Sequence, residues 1–218
     1  GEQAFTDILL RFLESRDFSA IPGISFRHPE SGACIRNDME RDQISDLDAF
    51  PSPYLLGYYE DLLSDRADLQ FQTIIETNRG CPFPCTFCYW GMGGLSRKYR
   101  YYSLDRIRSV LDWCGQHRIR YVFNADSNFG MIKRDMDIAH AIVETKLKYG
   151  FPEKFRTCFG KNTDEKIYQI ATLLHKYDLE KGITLARQSN DEATLENIRR
   201  ENIKLSTYRN LQLRFNRE

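Results

Sequence analysis

Apolar and polar positions divide the chain into two differently patterned parts. In AFTDILLRFLES (residues 4–15), Phe5, Ile8, Leu9, Phe12 and Leu13 share one face at helical spacing, which predicts an amphipathic helix. IPGISFRHPESGACIRND alternates on both sides of a Pro-Glu-Ser-Gly turn and predicts a small hairpin. In LDAFPSPYLLGYYEDLL, Pro51 and Pro53 fix an extended connector, followed by a short apolar turn. From about residue 70 a regular rhythm begins. LQFQTIIET, RYVFNAD, KFRTCFG and GITLARQS predict strands, each followed by a helical pattern: SLDRIRSVLDWCGQH, RDMDIAHAIVETKLKYG, TDEKIYQIATLLHKY and DEATLENIRREN. Ile107, Val110, Leu111 and Cys114 make the inward stripe of the first helix, and Ile167, Ile170, Ala171 and Leu174 that of the third. Gly150 suits the C′ position that ends the second. Strand and helix alternate four times, so the expected class is α/β, a parallel sheet with right-handed helical crossovers. Four such units make part of a barrel.

Composition narrows the possibilities. The 218 residues are 41% hydrophobic and 13% aromatic, enough for a packed core. Lys plus Arg and Asp plus Glu number 31 each, and the zero net charge disfavours nucleic acid as a partner. RKYRYY (Arg97 to Tyr102) mixes basic and aromatic residues, but in a neutral chain it reads as a solvated loop. No apolar run approaches the roughly 20 residues that cross a bilayer, and the acidic N-terminus lacks a basic leader region, so a cytoplasmic protein is expected. The chain opens with Gly rather than Met and the last stretch, STYRNLQLRFNRE, shows no evident cap; both suggest a piece of a longer protein.

The six cysteines change the picture most. Three are isolated (Cys34, Cys114, Cys158), of which Cys114 and Cys158 read as core. The other three lie in ETNRGCPFPCTFCYWG, where Cys81, Cys85 and Cys88 are spaced C-x-x-x-C-x-x-C after the first strand. Pro82 and Pro84 exclude regular helix between the first two, so the loop must wrap around something. Three thiolates on one loop suit a cubane iron–sulfur cluster with one iron left open, and an open position marks a catalytic rather than a structural metal. A structural zinc site would need a fourth ligand from a distant residue, and a ferredoxin-type carrier would use four cysteines. In an α/β barrel, function gathers at the C-terminal strand ends. Polar residues stand there: Asp126 and Asn128 after the second strand, Lys161 and Asn162 after the third, Gln188 and Ser189 after the fourth. Asn128, Asn162 and Ser189 could equally cap the next helices. Tyr89 and Trp90 follow the last cysteine, and Arg79 precedes the first.

The cysteine motif, with Phe87 just before its third cysteine, resembles that of the radical S-adenosylmethionine enzymes. TNRGCPFPCTFCYWG, NADSNFG, GKN, RQS and IRREN together are similar to the members that carry an N-terminal cobalamin-binding domain. The resemblance implies a partial (β/α) barrel over residues 49–218. It implies that residues 1–48 are the Rossmann-like cobalamin domain's last part and its connector. It further implies that Cys81, Cys85 and Cys88 hold a 4Fe-4S cluster whose fourth iron is chelated by S-adenosylmethionine. Tyr89, Trp90, Asp126, Asn128, Lys161, Gln188 and Ser189 are then candidate contacts for S-adenosylmethionine or substrate. The implied chemistry is reductive cleavage of S-adenosylmethionine to a 5′-deoxyadenosyl radical. The implied reaction is cobalamin-dependent C-methylation of an unactivated carbon, with radical rearrangement, cyclisation or methylthiolation as the alternative. A small-molecule or peptide substrate and an electron donor such as flavodoxin or ferredoxin are the implied partners. A non-catalytic zinc or iron–sulfur module is the reading from another class.

Overall fold

The computed structural model describes residues 1–38, 44–90, 97–160 and 165–217. The chain forms two compact units, Gly1–Ile44 and Ser45–Glu218. In the first, helix α1 (Glu2–Glu14) precedes a hairpin of β1 (Ser25–Arg27) and β2 (Cys34–Arg36), paired antiparallel with Phe26 opposite Ile35. The loop before the hairpin is fastened by Asn37, whose side-chain amide donates to the carbonyls of Phe18 (2.8 Å) and Ile21 (2.7 Å). The predicted apolar face of α1 forms, but Phe5, Leu9, Phe12 and Leu13 are all exposed.

The second unit opens with a single 3-10 turn (Leu47–Ala49) and a short helix α2 (Glu60–Asp65). Strand β3 (Gln72–Ile75) leads to the two-residue β4 (Asn78–Arg79) and, after the cysteine loop, to β5 (Arg100–Tyr101). Then come α3 (Leu104–Gln116), β6 (Tyr121–Phe129), α4 (Arg134–Tyr149), β7 (Lys154–Phe159), α5 (Glu165–Lys176), α6 (Glu192–Asn197) and α7 (Leu205–Phe215). The sheet is parallel in the order β3-β6-β7, with α3 and α4 as its crossovers. Val122, Phe129, Phe155 and Phe159 share one buried core with Leu111, Cys114, Ile138, Ile142, Ile167 and Leu174 from α3, α4 and α5. The predicted stripes are therefore the faces that bury. Gly150 ends α4 in the left-handed conformation (φ 78°), which a residue without Cβ adopts at little cost.

Three expectations need correction. The fourth strand is represented among the described residues by one isolated parallel bridge, Phe155 to Glu180. Gly182 (φ 91°) turns the backbone out of extended geometry, and Glu180 is drawn to the Gly182 N–H (2.6 Å). Cys158 is exposed, not core. It sits on the sheet face opposite the helices, where Gln72, Ile74, Tyr121, Phe123 and Arg156 line an open cavity of about 650 Å³. RKYRYY is not wholly a solvated loop, because Arg100–Tyr101 pairs with Asn78–Arg79 as β5 on β4.

Gly115 lets α3 and α4 approach closely. A Cβ there would overlap the Tyr149 ring and lie 3.0 Å from Thr145 Cγ2. Helix propensity alone would gain about 0.5 kcal/mol from replacing this glycine with valine, whereas overpacking costs about 1–3 kcal/mol. Gly115→Val is expected to lower the thermal midpoint; an unchanged or raised midpoint would show that the helices yield.

Candidate metal centre

Strand β6 is where the site begins. Its burial alternates from Val122 onward, so Asn124, Asp126 and Asn128 lie on the inner side. Asp126 is 1% exposed, and its carboxylate accepts hydrogen bonds from the Thr77 N–H (2.8 Å), Asn78 N–H (3.1 Å), Asn78 Nδ2 (2.9 Å) and Asn124 Nδ2 (3.1 Å). The Thr77 hydroxyl also donates to it. Burial raises the carboxyl's pKa while these donors, the Thr77 hydroxyl first, oppose the rise. The next residue, Ser127, donates its hydroxyl to the Gly80 carbonyl (2.8 Å), and Asn128 Nδ2 donates to Cys81 Sγ (3.2 Å). Three consecutive strand residues thus grip Thr77–Asn78, Gly80 and Cys81. Gly80 (φ 113°) makes the turn that carries the chain from β4 into the cysteine loop.

A second clasp comes from the segment after α6. The Thr86 N–H donates to the Ile198 carbonyl (3.1 Å), and Arg200 Nη1 donates to Cys85 Sγ (3.4 Å) while its guanidinium lies over the Phe83 ring (5.3 Å). Helix α6 ends in a Schellman turn: Arg200 N bonds Leu195 O and Arg199 N bonds Glu196 O, both at 2.9 Å. That turn holds Arg199, a non-glycine residue, at φ 50°, a strain of order 1 kcal/mol, and so points Arg200 back at the loop.

Cys81 and Cys85 are buried (7% and 5% exposed), Cys88 is partly buried, and all six cysteines are free thiols. Nitrogen donors aimed at two of the three sulfurs suit thiolates, which accept charge-assisted hydrogen bonds. Among the described residues no three His, Cys, Asp or Glu side chains gather around one point as a single-ion site. A cubane asks for something else, one thiolate at each of three separate irons. The loop's free thiols and their donors fit that group.

Among the other candidates within the described residues, Asn128 is the one that donates to a cysteine sulfur, and Asp126 is committed to holding the chain ahead of the loop. Tyr89 is exposed and Trp90 partly buried. Gln188 is exposed, and Asn202 organises its segment, accepting from the Gln188 N–H (3.5 Å) and donating to the Ser189 carbonyl (2.7 Å). The Ser189 hydroxyl accepts from the Asp191 N–H (3.1 Å), while Asp191 itself caps α6. Lys161 and Asn162 lie outside the described residues. Arg79 pairs with Glu76 ahead of the loop, its Nε 2.8 Å from Glu76 Oε2, and its guanidinium lies over the Phe50 and Tyr102 rings. Sequence reasoning missed Arg200, Asn202 and Tyr99, the last a partly buried phenol beside Cys81 and Asn128 whose pKa burial pushes up. The IRREN stretch carries two of them, but nothing in its pattern foretold a contact with a cysteine more than a hundred residues earlier.

Comparison with known proteins supplies the class. No family model matches the chain. It is 36% identical over 218 residues to the 2-(S-pantetheinyl)-carbapenam-3-carboxylate methyltransferase of Streptantibioticus cattleyicolor, covering 99% of this chain and 31% of that protein. The same identity and coverage hold for the cobalamin-dependent radical SAM methyltransferase TokK of Streptomyces tokunonensis. The structure of the radical S-adenosylmethionine methyltransferase TsrM from Kitasatospora setae superposes with a TM-score of 0.65 at 16% identity, over 100% of this chain and 42% of that one, and so shares its fold. Over the part that it shares with them, the chain is related in sequence to these methyltransferases, one of them a cobalamin-dependent radical S-adenosylmethionine enzyme. It spans about a third of the length of the curated relatives it matches.

Asp135, in the first turn of α4, accepts from the Gly130 N–H (2.7 Å) and Ile132 N–H (3.1 Å) and is fully buried. Burial pushes its pKa up to about 6 from an ordinary 3.8. A raised folded-state value means that its contribution to stability is complete below about pH 4 and is lost as pH rises through 6, up to roughly 3 kcal/mol. Asp135→Asn should flatten the stability profile between pH 4 and 6 in denaturant titrations. Identical profiles for variant and wild type would contradict this assignment.

Proposed function

We propose that this chain is the cluster-bearing part of a cobalamin-dependent radical S-adenosylmethionine enzyme that methylates an unactivated carbon. The observation that carries the reading is the seating of three free cysteines at the C-terminal end of a parallel sheet, two of them buried with nitrogen donors on their sulfurs. Cys81, Cys85 and Cys88 hold a 4Fe-4S cluster by one thiolate each. When bound, that cluster supplies the electron that cleaves the sulfonium of S-adenosylmethionine to a 5′-deoxyadenosyl radical. Residues 49–218 form the partial barrel, and residues 1–48 the end of a cobalamin-binding domain with its connector.

The protein's own residues position the reactants. Asp126 and Ser127 fix the path of the loop, so the thiols meet their irons from a preset backbone. Tyr89, Trp90, Asn128, Lys161, Gln188 and Ser189 are the residues we propose as contacts for S-adenosylmethionine or the substrate. The cavity on the open sheet face, with Phe123, Ile74 and Thr184 beside Arg156, receives a small-molecule or peptide substrate. A flavodoxin or ferredoxin delivers the electron, in the cytoplasm.

The test uses the full-length protein, reconstituted without oxygen. About four irons per chain, reductive release of 5′-deoxyadenosine, and transfer of label from methyl-labelled S-adenosylmethionine to product are expected. Release of 5′-deoxyadenosine with no label in product would favour rearrangement or cyclisation, and label arriving together with an added sulfur would favour methylthiolation; tight zinc without iron would end the enzyme reading. Cys85→Ala should lose cluster iron and cleavage while keeping its circular dichroism spectrum. Cleavage that survives in that variant would refute the ligand assignment.

A further inference from the structure

We infer that Arg200 and Asn128 are positioning residues that set the reduction potential of the cluster; the inference rests on the ligand assignment above. Each directs a nitrogen donor at a different ligand sulfur: Arg200 Nη1 lies 3.4 Å from Cys85 Sγ and Asn128 Nδ2 lies 3.2 Å from Cys81 Sγ. Both side chains are 6% exposed. Two clasps that differ in origin, the end of β6 and the turn after α6, thus converge on the sulfurs themselves.

Reduction adds a negative charge to the cluster and its thiolates. A guanidinium held against one ligand sulfur stabilises that charge, and its burial keeps water and salt from screening the attraction. N–H donors to cysteine sulfur withdraw electron density, which raises the potential of an iron–sulfur centre. Arg200 therefore contributes a full charge and Asn128 a dipole. The geometry is held firmly for this task. The guanidinium rests on Phe83, two residues before Cys85, and the Thr86 N–H is bound to the Ile198 carbonyl, so loop and arginine are tied at both ends. A simple loop brace would require only the backbone bond.

The experiment is a potentiometric titration, followed by electron paramagnetic resonance, of the full-length protein reconstituted anaerobically without S-adenosylmethionine. Arg200→Gln, which keeps a donor and removes the charge, should retain wild-type iron and show a more negative midpoint. Arg200→Lys, which keeps the charge, should shift less, and Asn128→Leu should shift negatively by less than Arg200→Gln. Midpoints equal to wild type in the variants that retain iron would overturn the inference, leaving both residues as loop supports. Loss of iron from Arg200→Lys would overturn it in the same way, because charge is preserved there and only fit is altered. A wild-type protein without a cluster would sink the ligand assignment, and this inference with it.

Discussion

The buried carboxylate of Asp126 is the interaction on which the rest depends. A charge this deep is costly unless its oxygens are engaged. Here two backbone N–H groups, two amides and a hydroxyl engage them, all but one from Thr77 and Asn78. The carboxylate therefore pins the exit of β3 to β6 just before the chain enters the cysteine loop. With that exit fixed, Ser127 and Asn128 fall opposite Gly80 and Cys81, and the loop starts from one defined position rather than from a family of them. An irregular loop with two prolines cannot organise itself through backbone ladders, so anchoring from a rigid strand supplies the order.

The opposite side of the loop is held from a distant part of the sequence. The Schellman turn of α6 is built at Arg199, where glycine would be easier, and what it achieves is the return of Arg200 to Cys85. Strain accepted in a turn that supports a reactive loop is a pattern expected of functional sites. The same segment carries Asn202, which orders Gln188 and Ser189. One short stretch after α6 thus serves both the thiols and the polar end of the fourth β/α unit.

Much of this was legible in the sequence, and the boundary is physical. The helices α3 and α5 bury the stripes that helical spacing marks, because local period and core contact agree there. The C-x-x-x-C-x-x-C spacing exposes its chemistry directly, since all three thiols lie on one loop. The polar run after RYVF was visible as a candidate site, but its division of labour was not. Whether Asp126 meets a ligand or a neighbouring strand depends on the register of β6 against β3 and β4. Arg200 was illegible for a stronger reason: its partner is 115 residues away, and no local pattern encodes such a meeting. The fourth strand failed because alternation in GITLARQS competes with a glycine at φ 91° at its start. Helix α7 was missed because its apolar residues show weak periodicity and only Leu211 is buried.

The central claim is that this loop provides three ligands and leaves a fourth iron corner for S-adenosylmethionine. Electron–nuclear double resonance on the reduced, anaerobically reconstituted full-length protein tests it most directly, using S-adenosylmethionine labelled with ¹⁵N at its amino group. The account predicts a nitrogen coupling to the cluster that disappears when the labelled compound is omitted. A cluster formed in full yield that shows no such coupling at saturating S-adenosylmethionine would contradict it.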